Sequence, residues 1–440
     1  MAGLNRETFS LISRRRALLL PAAAALGACA SLPVTKTSPM EFEESNDGAM
    51  EHAIATYADF GAHFSGSVGD HATTDWLDRE LLGAGYETRR QTFEVPTCDG
   101  EAGSVTLSDG TSLSGPVQMP GLATDTQAEL VHWHADLPPP ELGGKLVVYH
   151  SRFGRHSSLM SPEWQRVLKA TREAQLAGIV AITNGPSRLA IRLNAPFEFD
   201  LVPMLTISPA DAAALRAATQ GQTARLSIAP SRPNRLADNL IARRKGPGPR
   251  IVVSTPKSGW GICASERGPG IAIFLMLARR LASSLPDADI HLVATSGHEY
   301  ENLGAHKFLE SAAPAPAETA LWVHLGANLS AFDFHDLGPS LLPLPSPDPQ
   351  RYLGATKGLD AFAREIFNGR PGLEAAYAMS ADDAAGELRE ILAAGYASAF
   401  GAFGAGRFHH TDQDTPDKVD LIELAATGSA FLKMVHRAIG

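Results

Sequence analysis

Three short segments of the chain concentrate side chains able to bind metal or move protons. They are Cys263-Ala264-Ser265-Glu266-Arg267-Gly268, Ser296-Gly297-His298-Glu299-Tyr300-Glu301, and Phe408-His409-His410-Thr411-Asp412-Gln413-Asp414-Thr415. Imidazole and carboxylate are the neutral-pH ligands of zinc, and a histidine among them is suited to acid–base work near pH 7. Lys257 and Arg267 add fixed positive charge, able to offset surplus carboxylate charge or to hold a substrate carboxylate. Taken singly, each residue has a plain structural role open to it. Glu266 and Arg267 are compatible with a surface ion pair, His324 with a hydrogen-bonded core histidine, and His409-His410 with an exposed loop.

What raises these residues above that background is where the chain places them. Arg250–Ser254, Ile290–Thr295 and Ala320–Leu325 read as strands, and each runs directly into polar or catalytic residue types. A helix is expected over Pro269–Leu285, with Ile271, Phe274, Leu275, Ala278 and Leu281 at core spacing and Pro269 in its first turn. Another closes the chain from Asp420 to Ile439. Alternating strand and helix from Arg250 onward indicates a wound α/β sheet, whose sites lie at the carboxyl ends of strands. Ser254-Thr255-Pro256-Lys257 spells the serine β-lactamase tetrad but lacks that motif's helix and partner motifs, so it is not read as a nucleophile.

Helices are also expected through Met50, Ile54, Tyr57 and Phe60, and through Trp76, Leu77, Leu81 and Leu82, before a strand over Tyr86–Val95. Residues 99–233 differ in texture. Short strands at Glu129–His132, Lys145–Tyr149 and Ile179–Ile182 sit among Pro- and Gly-rich turns, with a helix at Trp164–Leu176. A loop of that length is untenable in a compact domain, so a small β-rich insert is expected. The expected division is a signal at 1–29, a linker at 30–47, a main domain from 48–98 and 234–440, and the insert at 99–233 standing apart.

The amino terminus carries Ser13-Arg14-Arg15-Arg16-Ala17-Leu18-Leu19-Leu20 and an alanine-rich apolar run, the pattern of a twin-arginine (Tat) export signal. Leu26-Gly27-Ala28-Cys29 resembles a lipobox, which would put a lipid anchor on Cys29; an ordinary cleavage site nearby is the alternative. Periplasm or cell envelope is the expected location. Past Cys29 the chain holds only Cys98 and Cys263, which excludes a disulfide framework. The balance of hydrophobic and charged residues is that of a globular chain. The net charge of −10 argues against nucleic acid or an anionic membrane as partner.

With these segments assembled, the chain from about Met50 onward resembles the co-catalytic zinc aminopeptidases, the family that includes glutamate carboxypeptidases, glutaminyl cyclases and the transferrin receptor ectodomain. The resemblance is carried by His410-Thr411…Asp414-Thr415-Pro416-Asp417-Lys418-Val419-Asp420, by Gly297-His298-Glu299…Leu303-Gly304, and by Phe64-Ser65-Gly66-Ser67-Val68-Gly69. Residues 99–233 resemble a protease-associated domain. The resemblance implies an α/β fold with a mixed wound sheet, helices on both faces and a small β-rich insert.

The family's metal ligands carry over unevenly. Its early His-x-Asp falls on Thr255 and Lys257, its bridging Asp on Glu266, its Glu-Glu pair on His298 and Glu299, its later Asp on Gly326, and its last His on His410. Both missing ligands serve one metal only. The resemblance therefore implies a single zinc on Glu266, Glu299 and His410, with His298, Lys257 and Arg267 as catalytic candidates. The leading expectation is an exported aminopeptidase-like metallohydrolase acting on a small peptide, amide or ester. Two alternatives stay open: a degenerate member that binds a ligand or partner without catalysis, and a metal-free hydrolase or cyclising transferase using His298.

Overall fold

The computed structural model describes residues 39–155, 158–197, 202–230, 232–337 and 340–440. The chain divides into two compact units, residues 1–42 and 43–440. Of the first, only the start of helix Pro39–Asp59 is described. The export motif, the lipobox and Cys29 lie outside the described residues. Helix Pro39–Asp59 begins inside the stretch expected to be linker; Pro39 suits a first helical turn, where its missing N–H has no partner to lose. Among the described residues, no helix is long and apolar enough to cross a membrane.

An eight-stranded mixed sheet organises residues 43–440. Its spatial order is Glu87–Val95, Arg235–Arg244, Asp289–Thr295, Arg250–Pro256, Leu321–Leu325, Ala399–Gly404, Arg351–Ala355 and Tyr377–Ala378. Strand Arg250–Pro256 runs parallel to both of its neighbours, which follow it in sequence on opposite sides. The winding direction reverses there, and the crevice beyond the carboxyl end of such a strand is where wound sheets place their sites.

Strand alternation assigns the two faces. Ile251, Val253, Leu321, Val323 and Leu325 point into one core, shared with helices Pro39–Asp59, Val68–Gly83, Gly268–Ser284 and Leu421–Ile439. Val252, Val293 and Trp322 point the other way, against Phe308 of helix Leu303–Ser311 and Leu388 and Ile391 of helix Gly386–Ala393. This is the expected α/β class, a mixed wound sheet with helices on both faces. Ile251, Val252 and Val253 are hydrophobic in succession because both faces of the strand are covered.

Residues 102–228 build a second sheet of seven strands, in the order Ser112–Pro116, Ala102–Leu107, Thr223–Ile228, Thr124–His134, Leu146–Phe153, Gly178–Asn184 and Met204–Ile207. It has its own apolar packing on each face, around Trp133, Tyr149 and Trp164 on one and Val148, Leu205 and Leu226 on the other. It does not stand clear of the rest. The backbone of Ala195 donates to the Glu299 carbonyl at 3.0 Å, and Arg192 donates to the His410 carbonyl at 3.3 Å. Residues 326–404, where sequence patterning suggests no element, contain a hairpin and strands of the main sheet. The prolines at 343, 345, 347 and 349 obscure any strand pattern there.

Register across three strands is pinned by one carboxylate. Asp289 accepts two hydrogen bonds from Arg243, both at 2.9 Å, and one from Arg250 at 2.7 Å. Burial alone would raise its pKa, but the two guanidinium groups outweigh that and hold the carboxyl well below its ordinary value of 3.8. A folded value below the unfolded one adds stability above pH 3.8, and that stability is lost as pH falls toward the folded value. Asp289→Asn should therefore destabilise the protein at pH 7 by about 1–3 kcal/mol. Denaturant midpoints measured from pH 7 to pH 2 should show the gap between variant and parent closing in acid.

Candidate active site

At the carboxyl edge of the main sheet, segments far apart in sequence are clasped together by Asp414. Its carboxylate accepts from the backbone N–H of Ser265 at 2.8 Å and of Glu266 at 2.9 Å, and its carbonyl accepts from Ala264. This fixes the turn before helix Gly268–Ser284 against the loop that carries His409 and His410. Burial pushes the Asp414 carboxyl up to about 7, the Ser265 and Glu266 hydrogen bonds only partly opposing it.

Glu266 is 3% exposed and lies at the focus. His409 Nδ1 is 3.4 Å from its Oε2, and His410 Nε2 is 3.7 Å from its Oε1. His410 Nδ1 lies 2.9 Å from the Arg192 carbonyl, which can only accept, so Nδ1 carries a proton and Nε2 faces Glu266. Metal-ligating histidines are commonly oriented by such a bond from the second ring nitrogen. Donor atoms of Glu266, His409 and His410 all lie within 4.8 Å of one another. Two donors at ~2 Å from one tetrahedral ion stand about 3.3 Å apart, so the three have the right chemistry for zinc and would close on it by turning the stacked His409 and His410 rings.

Arg267 complicates that fit. It is buried, its Nη2 lies 2.7 Å from Glu266 Oε1, and its Nε donates to the Ser258 carbonyl at 2.9 Å. Burial opposes ionisation of Glu266, but Arg267, then His410 and His298, hold its carboxyl below the ordinary range. The expected Glu266–Arg267 ion pair is therefore present, but inside the site and not on the surface.

Glu299, expected as a metal ligand, is outside this cluster. Its carboxylate accepts from Ser65 N–H at 3.1 Å, Ser65 Oγ at 2.8 Å and Ser258 Oγ at 2.6 Å. The segment 65–69 is built for that grip. Gly66 sits in the positive-φ region that glycine alone enters freely, and a Cβ there would come within 2.5 Å of the Leu236 carbonyl oxygen. Burial raises the Glu299 pKa despite these hydrogen bonds.

Lys257, expected as catalytic, is sealed in the interior. Its ammonium pairs with Asp70, which also accepts from Gly66 N–H and Ser296 Oγ. Lys257 thus ties the ends of two adjacent strands to helix Val68–Gly83 and does not line the cavity. Thr255 is likewise turned inward, donating to the Leu325 carbonyl at 2.9 Å. At Gly326 a Cβ would meet the Ala402 carbonyl oxygen at 2.5 Å, so this backbone has no room for a ligand side chain.

A cavity of about 610 Å³ opens beside the cluster, with Arg267, His298, His324 and His409 in its wall. The site gains one residue that sequence reasoning missed: Glu387, whose Oε1 lies 3.5 Å from His298 Nδ1 and accepts from Thr295 at 2.7 Å. Burial raises the Glu387 pKa, against His324 and Thr295. Nothing around Gly386-Glu387-Leu388 marks it, because it is one acid in an ordinary amphipathic helix. His409 does carry a signal, its adjacency to His410, which an exposed-loop reading discounts. His324 is a core histidine as expected, bonded to Ser254 Oγ at 3.0 Å, and burial lowers its pKa to about 4. Cys98 and Cys263 are buried free thiols.

If Lys257 is a structural partner of Asp70, removing it strands a buried carboxylate. Lys257→Met should cost about 3–5 kcal/mol of stability, and adding Asp70→Asn should return part of that. Denaturant unfolding of both variants checks this. Equal stability of Lys257→Met and the parent would contradict the burial seen here.

Comparison with known proteins agrees with this fold. Residues 253–435 match peptidase family M28. No curated protein matches the sequence. Among solved structures, the aminopeptidase from Aneurinibacillus sp. strain AM-1 is 18% identical with a TM-score of 0.62, covering 89% of this chain and 93% of its own. BSAP, a zinc aminopeptidase from Bacillus subtilis, is 14% identical with a TM-score of 0.67, over 89% and 95%. The peptidase M28 precursor from Shewanella amazonensis SB2B is 16% identical with a TM-score of 0.66, over 91% and 96%. At these identities the likeness to solved structures is one of fold. Family match and fold point the same way: residues 253–435 are similar to peptidase family M28, and the resemblance to the zinc aminopeptidases holds at the level of fold.

Proposed function

We propose that the chain is an exported metallohydrolase of aminopeptidase type that cleaves an amide or ester bond, with one zinc held by Glu266, His409 and His410. The observation that carries this reading is the convergence of those three buried donors beside a cavity that also presents His298. Zinc held there would supply Lewis acidity toward the scissile carbonyl and an attacking water. Residues of the chain do the rest. His298 stands where the family has its catalytic Glu, and Glu387 beside its Nδ1 orients the ring. The other ring nitrogen is the atom that takes or gives the proton. The cavity wall brings the substrate to that nitrogen.

Export through the twin-arginine motif and lipidation at Cys29 belong to the same proposal, supported by the residue pattern at 13–29. The seven-stranded sheet within 99–233 supports reading that stretch as protease-associated-like. A metal-free hydrolase or cyclising transferase built on His298 is the second reading. It is favoured by Arg267, whose guanidinium already meets Glu266 where a dication would.

Metal analysis of purified, tag-free protein separates the two. One equivalent of zinc per chain is expected, lost in His409→Ala and His410→Ala and retained in Glu299→Gln. Gly326→Asp should add no second ion, because the backbone excludes the side chain. His298→Ala should keep the metal while turnover falls by roughly 10²–10⁴. Two tightly held zinc ions, or full retention after loss of His410, would overturn the assignment, and turnover by zinc-free protein would favour the second reading.

A further inference from the structure

Three arginines reach the wall of the cavity from three separate parts of the chain: Arg155 from the second sheet, Arg267 from the Glu266 turn, and Arg407 from the loop before His409. Their partners are Asp348, Glu266 and Asp333. None of those acids lines the cavity, and among its described lining residues there is no Asp or Glu at all. A guanidinium carries five N–H donors. Arg407 meets its acid through Nε, Arg155 through Nη1 and Arg267 through Nη2, so each has further donors beyond its ion pair. Arg267 is the telling case. Its side chain is 1% exposed, and Nη1 has no hydrogen-bond partner among the described residues. A buried donor left without a partner costs roughly 1–3 kcal/mol, so a ligand acceptor at that position would be strongly favoured.

A substrate with a free amino terminus needs the opposite wall. Its ammonium, taken out of water, must be met by a carboxylate or several acceptors. From the arginine wall and the partnerless Arg267 Nη1 we infer that the cavity takes a carboxylate-bearing amide or ester lacking a free amine, with Arg267 seating the carboxylate. Tyr352 and Phe403, ring centroids 5.7 Å apart, line the same cavity and offer the substrate an apolar surface. A volume of about 610 Å³ admits a ligand the size of an N-acylated aromatic amino acid. This inference rests on the hydrolase reading and narrows its substrate.

Calorimetric titration of the full chain with N-acetyl-L-phenylalanine, N-acetyl-L-phenylalaninamide and L-phenylalaninamide tests it. The acid should bind at least about tenfold more tightly than either amide, the size of one charge-assisted contact. Arg267→Lys keeps a cation on Glu266 but removes the second fork, and should erase most of that preference. Arg407→Gln, at a more exposed position, should weaken the acid several-fold and is read in parallel in case the first variant does not fold. Preference for L-phenylalaninamide, no binding of the acid, or unchanged acid affinity in the folded variants overturns the inference. Hydrolysis is assayed separately. Turnover of free-amine substrates without acid preference sinks this inference alone, whereas acid preference without any amide or ester turnover sinks only the hydrolase reading.

Discussion

A carboxylate removed from water must be met by a cation or by several donors, and five of them are buried together at one edge of this sheet. Asp70, Glu266, Glu299, Glu387 and Asp414 are each at most 3% exposed. Left unmatched, any one of them would cost several kcal/mol. The surrounding architecture follows from how each is matched. Asp70 takes Lys257 and two further donors, Glu299 takes Ser65 and Ser258, and Asp414 takes two backbone N–H groups. These contacts draw helix Val68–Gly83, the ends of strands Arg250–Pro256 and Asp289–Thr295, and the loop of His409 and His410 onto one spot. Glu266 and Glu387 differ from the other three, since each also meets a side chain of the cavity wall, Arg267 and His298 respectively.

The same charge logic bears on the positions where the resemblance puts a first metal's ligands. A two-metal site places two dications among its carboxylates. Here Thr255 is turned into the core and Gly326 is held against Ala402, so neither position offers a carboxylate or imidazole. Lys257 and Arg267 supply fixed cations in the same neighbourhood, one against Asp70 and one against Glu266. The two are not equivalent. Lys257 is enclosed and acts on the fold, whereas Arg267 stands in the cavity wall and can act on what enters it.

The fold is legible in the sequence where apolar periodicity is strong. The three parallel strands, helix Gly268–Ser284 and the closing helix Leu421–Ile439 lie within a few residues of expectation. Residues 326–404 are illegible because prolines and glycines there carry strands whose pairing is set by the sheet and not by local pattern. At the site, motif spacing singles out Glu266, His298 and His410, and the fold brings Glu266 and His410 within 3.7 Å of each other. It fails for Glu299 and Lys257 because residue type and motif position do not say which way a side chain turns. Glu299 faces Ser65, and Lys257 faces Asp70, partners that lie in a distant, earlier part of the chain. Glu387 could not have been found, being defined only by its approach to His298 across the sheet edge.

The second sheet participates in the site through a short stretch of backbone, and that contact has chemical content. Arg192 offers its carbonyl to His410 Nδ1 and donates its own N–H to the His410 carbonyl. His410 has a positive φ, an unfavourable backbone conformation for a non-glycine residue that needs surrounding contacts to persist. The two bonds to Arg192 supply them, while the Arg192 guanidinium pairs with Asp412 two residues on. The orientation of the His410 ring, and so the Nε2 turned toward Glu266, is therefore set by a residue of the 99–233 stretch. Any rearrangement that withdraws residues 191–195 from the main sheet's edge would release the ring, so that stretch belongs to the machinery that holds His410 in place.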